Sequence, residues 1–197
     1  MAKIYFDMDG VLADFEGYVR DHGIPYFPQA NYLSAQDETM WDAIKQVPHF
    51  YLQLEPIDGA IDLFMSVKNQ KEHRSEILSA IPKPKWGLEN TKEDKLEWAS
   101  QHLGDDVKAN IVYREEKQEY CTGKDCILID DLPKNIEEWE LKGGTGILFK
   151  DVESARKELN EVLAMFNKTT NKTAFERMKS MLHDDTNVVE QEMIVYD

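Results

Sequence analysis

The chain has 197 residues, 42% of them hydrophobic and 10% aromatic, with 23 basic and 38 acidic side chains giving a formal net charge of -15. That length suits one ordinary domain with a small insertion, and the composition supports a core and argues against global disorder. The charge repels nucleic acid and anionic membrane, so a small anionic substrate would need a local positive site made by a metal or a few lysines.

No apolar stretch approaches the roughly 18 residues of a membrane-spanning helix. The N-terminus runs directly into a strand, so no signal peptide is expected. Cys121 and Cys126 are the only cysteines, spaced for neither a zinc pair nor a disulfide framework. A reducing cytoplasm fits best, and the sequons at Asn167 and Asn171 read as chance matches.

The first predicted element is a buried strand over residues 3–6. Helical spacing follows over 12–22 and stops at Gly23. Pro25, Pro28, Asn31 and Ser34 make 24–34 a loop, and a helix is expected near 37–46. Residues 47–56 read as irregular or briefly helical. Asp58 is placed to cap a helix over 59–68, and a strand follows over 75–81. Thr91 with Asp94 forms a passable capping box for a helix ending at Gly104. Strands are expected over 109–113 and 126–129, a helix over 135–141, a strand over 146–149 and an amphipathic helix over 152–166. Beyond residue 168 the pattern weakens to polar loop, one candidate helix near 174–182, and an ending that reads as an edge strand or a tail.

Short apolar strands alternating with helices predict an α/β fold, a parallel sheet with helices on both faces. The helical block between the first two strands looks like an inserted cap. The expected division is a core of residues 1–16 and 57–166, a cap of 17–56 and a C-terminal extension of 167–197.

In such sheets the site lies beyond the carboxyl ends of the strands. Asp7 and Asp9 follow the first strand, Ser79 ends the second, and Asp130 and Asp131 end the strand before the last. Three strand ends therefore bring polar groups to one edge. Each also has an ordinary reading: aspartates cap turns and helices, and a strand can simply end in a serine. His49 and His73 are expected at the surface or in loops, and "KNIEEWELKGG" after the acid pair is expected to be structural.

"DMDGVLADF", "ILSA", "KEDKLEWASQHLG" and "ILIDD" resemble the haloacid dehalogenase superfamily of phosphotransferases, and within it the 5′(3′)-deoxyribonucleotidases. "PHFYLQLEPIDGAIDLF" is similar to that family's segment leading out of the cap. The likeness covers roughly residues 3–149 and implies a three-layer Rossmann-like core with a small helical cap between its first two strands. It implies Mg²⁺-dependent hydrolysis of nucleoside monophosphates, with pyrimidine deoxyribonucleotides as the expected substrates, in which Asp7 becomes an aspartyl phosphate and Asp9 shuttles the proton. The implied metal ligands are Asp7, Asp130 and the carbonyl of Asp9, with Asp131 orienting metal-bound water or a lysine.

Ser79, Lys95 and Lys117 are the implied phosphate contacts, with Arg114 as a rival to Lys117. The family often has Thr-Ser where this chain has Ser79-Ala80. Phe15 and Phe50 match an aromatic base pocket by motif, while Trp41 and Tyr51 are added by region; all four also suit an ordinary core. The expected partner is a small nucleotide, with no membrane, polynucleotide disfavoured by charge, and a homodimer open. A polynucleotide end-phosphatase and a non-catalytic scaffold binding a partner stand as alternatives.

Overall fold

The computed structural model describes residues 1–26 and 34–168. The chain divides into two compact units, Met1–Glu158 and Leu159–Asp197. The first contains five parallel strands: β1 (Ala2–Phe6), β2 (His73–Ile81), β3 (Ala109–Tyr113), β4 (Cys126–Asp130) and β5 (Thr145–Leu148). Their order across the sheet is β3-β2-β1-β4-β5. Helices α1 (Phe15–Asp21), α2 (Ser34–Ile44) and α3 (Ala60–Lys68) lie between β1 and β2 in sequence. Helix α4 (Thr91–Leu103) joins β2 to β3, and α5 (Pro133–Leu141) joins β4 to β5. Residues 152–168 are also helical (α6), and the boundary between the two units falls inside this run. Of the second unit, residues 159–168 are described and helical. The expected tail helix and terminal strand lie outside the described residues, as does most of the expected loop over 24–34.

The central position of β1 explains its sequence. Phe6 pairs with Ile77 on one side and Ile129 on the other. A strand covered on both faces reads as a continuous apolar run, and Ile4, Tyr5 and Phe6 are buried. Phe6 packs edge-on to Phe64 of α3 at 5.0 Å, and Tyr5 to Trp139 of α5 at 5.4 Å. Trp98 and Trp139 are both fully buried, and each indole donates to a backbone carbonyl, Leu54 at 2.7 Å and Cys126 at 3.2 Å. Leaving such a donor unpaired would cost about 1–3 kcal/mol.

Several helix starts differ from the sequence expectation. α1 begins at Phe15, because Asp14 caps it by accepting from Gly17 N at 2.8 Å, while Leu12 and Ala13 both donate backward to Met8 O. Asp58 does not cap α3; Gly59 occupies that position at φ 74° with no side-chain bond. The Thr91–Asp94 capping box does not form either. Thr91 is already helical, Asn90 precedes it in the left-handed region, and Asp94 bonds elsewhere. His73 is buried as the first residue of β2, because that strand starts two residues earlier than expected.

The chain leaves and re-enters the first strand's loop at one place. Asp14 N donates to Glu55 O and Ile57 N to Leu12 O, both at 2.8 Å. The segment from α1 to the 3-10 turn Phe50–Gln53 is thus an excursion from a single point above β1.

Candidate active site

Strand order decides where this site sits. From β1 the chain runs outward to β2 and β3, then returns to place β4 on the other side of β1. The crevice of an open parallel sheet opens at that reversal, beyond the carboxyl ends of β1 and β4. Asp7 and Asp9 follow one of these strands; Asp130 and Asp131 end the other. Carboxylate oxygens of Asp7, Asp130 and Asp131 all lie within 4.8 Å of one another. Two carboxylates about 4 Å apart repel by about 4 kcal/mol at an effective dielectric of 20, so the cluster needs positive charge.

Lys117 supplies part of it. The residue lies in a 3-10 segment after β3, Arg114–Tyr120, which Glu116 secures by accepting from Tyr113 N at 2.9 Å. Its buried ammonium contacts Asp7 Oδ2 and Asp130 Oδ2, each at 2.7 Å. Burial alone would lower its pKa, but the charges of Asp130 and Asp7 and the bonds to both hold it above the ordinary lysine range. This compact segment brings Lys117 to the acids although thirteen residues separate it from Asp130 in the chain. Arg114, its rival, is engaged with Glu138 at 2.8 Å and Asn135 Oδ1 at 3.1 Å.

Asp130 is saturated with donors. Leu132 N donates to Oδ1 at 2.9 Å, and Asn135 Nδ2 donates to both oxygens at 2.9 Å. Burial and the neighbouring Asp7 charge nevertheless raise its pKa, with Lys117 and Leu132 N opposing. Asp131 stands at the solvent side, where the packed atoms around its carboxyl and the charges of Asp7 and Asp130 push it up to about 8. Its place explains Gly10: at φ 74°, a Cβ there would lie 2.5 Å from Asp131 Oδ2.

Asp9 has a different environment. Its Oδ2 accepts from Lys95 Nζ at 2.6 Å, and its buried Oδ1 has no hydrogen-bond partner. Burial raises its pKa against the pull of Lys95, and the Asp7 charge adds to the rise. Lys95 is fully buried; it also donates to Ser79 Oγ at 2.9 Å and Ala80 O at 2.8 Å, with the Tyr51 ring 4.5 Å away. Ser79 Oγ accepts from Lys95, so its hydroxyl hydrogen remains available to donate.

The aromatics form a run beside these acids. Phe50 packs edge-on to Phe15 at 5.4 Å, Phe15 lies 6.4 Å from Trp41, and Trp41 stacks on Trp86 at 6.2 Å. Phe15, Trp41 and Trp86 are half-buried, whereas Phe50 and Tyr51 are buried. Tyr51 belongs to the acid–lysine site more than to this run, since burial and then the charges of Asp9 and Asp7 hold its hydroxyl well above the usual range.

Sequence reasoning missed Asn135, Trp86 and Tyr26. An asparagine in the first turn of the helix following an acid pair was a usable signal for Asn135. Trp86 offered none, because nothing local says which helix it will meet. Tyr26 packs 6.3 Å from Phe15, and burial with the charges of Glu16 and Asp131 pushes its hydroxyl up to about 12.

The acid set suits a hard divalent cation. Three carboxylates share one lysine, which leaves net negative charge and oxygen-only ligands.

A five-stranded parallel sheet with an acid pair after its central strand is the arrangement expected of the haloacid dehalogenase superfamily that the sequence resembles. More narrowly, the chain belongs to the family described as 5′ nucleotidase, deoxy (Pyrimidine), cytosolic type C protein, whose model matches residues 1–163. The human protein named cytosolic-type 5′(3′)-deoxyribonucleotidase is 26% identical over 132 residues, covering 58% of this chain and 64% of that protein. A mouse mitochondrial 5′(3′)-deoxyribonucleotidase is 26% identical over 148 residues, covering 66% and 64%. A putative 5′(3′)-deoxyribonucleotidase of Vibrio phage KVP40 is 30% identical over 132 residues, covering 67% of each. The chain thus spans 64% of the length of the first curated relatives it matches. Among solved structures, a hydrolase from Streptococcus pneumoniae TIGR4 matches with TM-score 0.46 at 14% identity, over 81% of this chain and 98% of that one.

Proposed function

We propose that this chain is a Mg²⁺-dependent phosphatase of nucleoside monophosphates, with pyrimidine deoxyribonucleotides as its substrates and the cytoplasm as its place of action. The carrying observation is that Asp7 and Asp9, two residues apart, occupy opposite environments. Asp7 is paired with Lys117 and hydrogen-bonded by Met8 N at 2.7 Å, contacts that hold one carboxylate in place as a nucleophile. Asp9 is raised and has an unpartnered buried oxygen, which favours an acid.

The residues divide the chemistry accordingly. A carboxylate oxygen of Asp7 forms a bond to phosphorus as the ester P–O bond breaks. Asp9 gives its proton to the leaving alkoxide oxygen. Asp9, now ionised, takes a proton from water as the water oxygen bonds to phosphorus, and the Asp7–phosphorus bond breaks to release phosphate. Ser79 and Lys95 contact the phosphate oxygens; Lys117, expected as a third phosphate contact, is instead paired with Asp7 and Asp130 and holds them in place. Asp7, Asp130 and the carbonyl of Asp9 would hold Mg²⁺, with Asp131 beside them; the bound cation neutralises charge between carboxylate and phosphate. The cap of residues 17–56 covers the base, with Phe15, Phe50 and Trp41 offering ring faces and Tyr51 bordering the phosphate end. Its single point of exit and return supports that division from the core of 1–16 and 57–166.

A panel of 5′- and 3′-monophosphates, deoxy and ribo, measured with Mg²⁺ and with chelator, tests this reading. Turnover of dUMP and dTMP that needs Mg²⁺ is the expected result. Absence of cation-dependent phosphate release from every member would overturn it. A 3′-phosphorylated oligonucleotide in the same panel separates free nucleotides from polynucleotide ends.

A further inference from the structure

Two described residues other than glycine hold a positive φ, His49 at 52° and Asn90 at 58°. Both border a cavity of about 270 Å³. Asn90 precedes α4, and His49 begins the 3-10 turn Phe50–Gln53, its carbonyl accepting from Leu52 N at 3.0 Å. Residues other than glycine are uncommon in the left-handed region, and although histidine is among the types enriched there, one held beside the site calls for a reason.

The reason lies across the junction. His49 Nδ1 is 2.8 Å from Oδ1 of Asp94, a residue only 3% exposed in the first turn of α4. Asp94 directly precedes Lys95. His49 directly precedes Phe50 and Tyr51, and the Tyr51 ring lies against the Lys95 ammonium. One bond therefore ties the turn that carries Tyr51 to the helix that carries Lys95. A second tie, Trp98 Nε1 to Leu54 O, holds the far end of the same turn.

We propose that His49 is a positioning residue: its bond to Asp94 clamps the Phe50–Gln53 turn onto α4, keeping Tyr51 against Lys95 and Lys95 aimed at Asp9. This rests on the phosphatase reading given above. The Lys95 ammonium is enclosed by Asp9, Ser79, Ala80 O and the Tyr51 ring, so withdrawing the ring opens the wall that excludes water. The consequence falls on the proton-transfer step more than on substrate binding.

The clamp also titrates. Asp94 and Glu97 of α4 face the His49 ring, while Lys45, just after α2, and Glu89, just before α4, border the same cavity. The hydrogen bond to Asp94 and that residue's charge raise the His49 pKa, with slight burial opposing. A raised histidine contributes fully below its unfolded value near 6.5, and the contribution is lost as pH rises through the folded value. The clamp is tightest in mild acid and loosens toward alkaline pH.

The test uses the full chain with three substitutions. His49→Asn tolerates the left-handed backbone but is too short to reach Asp94; His49→Gln can restore a neutral bond; Asp94→Asn removes the charge. In His49→Asn, kcat falls about tenfold with KM nearly unchanged, the scale of a displaced supporting contact. His49→Gln recovers most of that loss and lacks the His49 step in its pH profile. By NMR, the His49 ring titrates at lower pH in Asp94→Asn, and the Tyr51 ring signals move in His49→Asn and return in His49→Gln. Unchanged kcat or unmoved Tyr51 signals in His49→Asn would overturn the clamp. If the unaltered protein cleaves no nucleotide, the phosphatase reading fails, and the Tyr51 signals alone decide the clamp.

Discussion

Two buried lysines serve the two halves of the site differently. Lys117, at the β1–β4 side, stands between the carboxylates of Asp7 and Asp130, both buried. Lys95, at the β2 side, shares its ammonium between one carboxylate, a hydroxyl, a carbonyl and a ring face. The first half sets one cation between two carboxylates, and burial still raises the pKa of Asp130. The second surrounds an acid that is raised and can keep its proton. Burial raises an acid in each half, and the halves differ in what each ammonium holds: two carboxylates at Lys117, and one carboxylate with neutral groups at Lys95.

The sharpest way to break this comparison is Asp7→Asn. A neutral amide cannot become an acyl phosphate, so kcat is expected to fall by about 10⁴-fold or more, measured as phosphate release. Next comes the pair Lys117→Met and Lys95→Met, compared by urea unfolding without divalent cation. Lys117→Met strands two buried carboxylates and is expected to cost about 3–5 kcal/mol. Lys95→Met is expected to cost less, about 1–3 kcal/mol, because Asp9 can remain protonated. Equal costs would show that the two halves are electrostatically alike. Asn135→Ala should weaken divalent-cation affinity by about 10–100-fold, read by calorimetry, since Asn135 donates to both oxygens of Asp130.

The smallest expected effect, because solvent screens the exposed Asp131 and discounts its shift heavily, is a pH dependence of the cation-free protein. Asp131 is raised from 3.8 to about 8, so the folded chain holds a proton there that the unfolded chain releases. Its stabilising share is complete below about pH 4 and is lost as pH rises through about 8. The melting temperature should therefore drop across that window, and adding Mg²⁺ should flatten the slope. An equally steep slope with Mg²⁺ present would place the titrating groups elsewhere.

The sheet was legible because β1 and β4 carry continuous apolar runs that end in acids. The five strands expected before residue 150 all occur, one with the expected ends and the others shifted by one or two residues. Helix starts were less legible, since they depend on competition for side chains. Asp94 matched a capping box locally, yet its carboxylate bonds His49, 45 residues away. Lys117 and Asn135 show the same limit within the site. Each is ordinary among its sequence neighbours and acquires a role only when the strand ends converge on Asp130. The aromatic run was half legible: Phe15 and Phe50 stood in a motif, whereas Trp86 meets Trp41 only through the return of α2 toward the loop after β2.

The backbone N–H of Asp7 donates to Ile129 O at 2.9 Å, so the amide of the proposed nucleophile is the last rung between β1 and β4. Those strands lie more than a hundred residues apart in the chain, and contacts of such separation close late in folding. A chain synthesised only as far as α4 or β3 would own half the acids and no functioning centre. Competence is thereby delayed until the polypeptide has finished assembling itself.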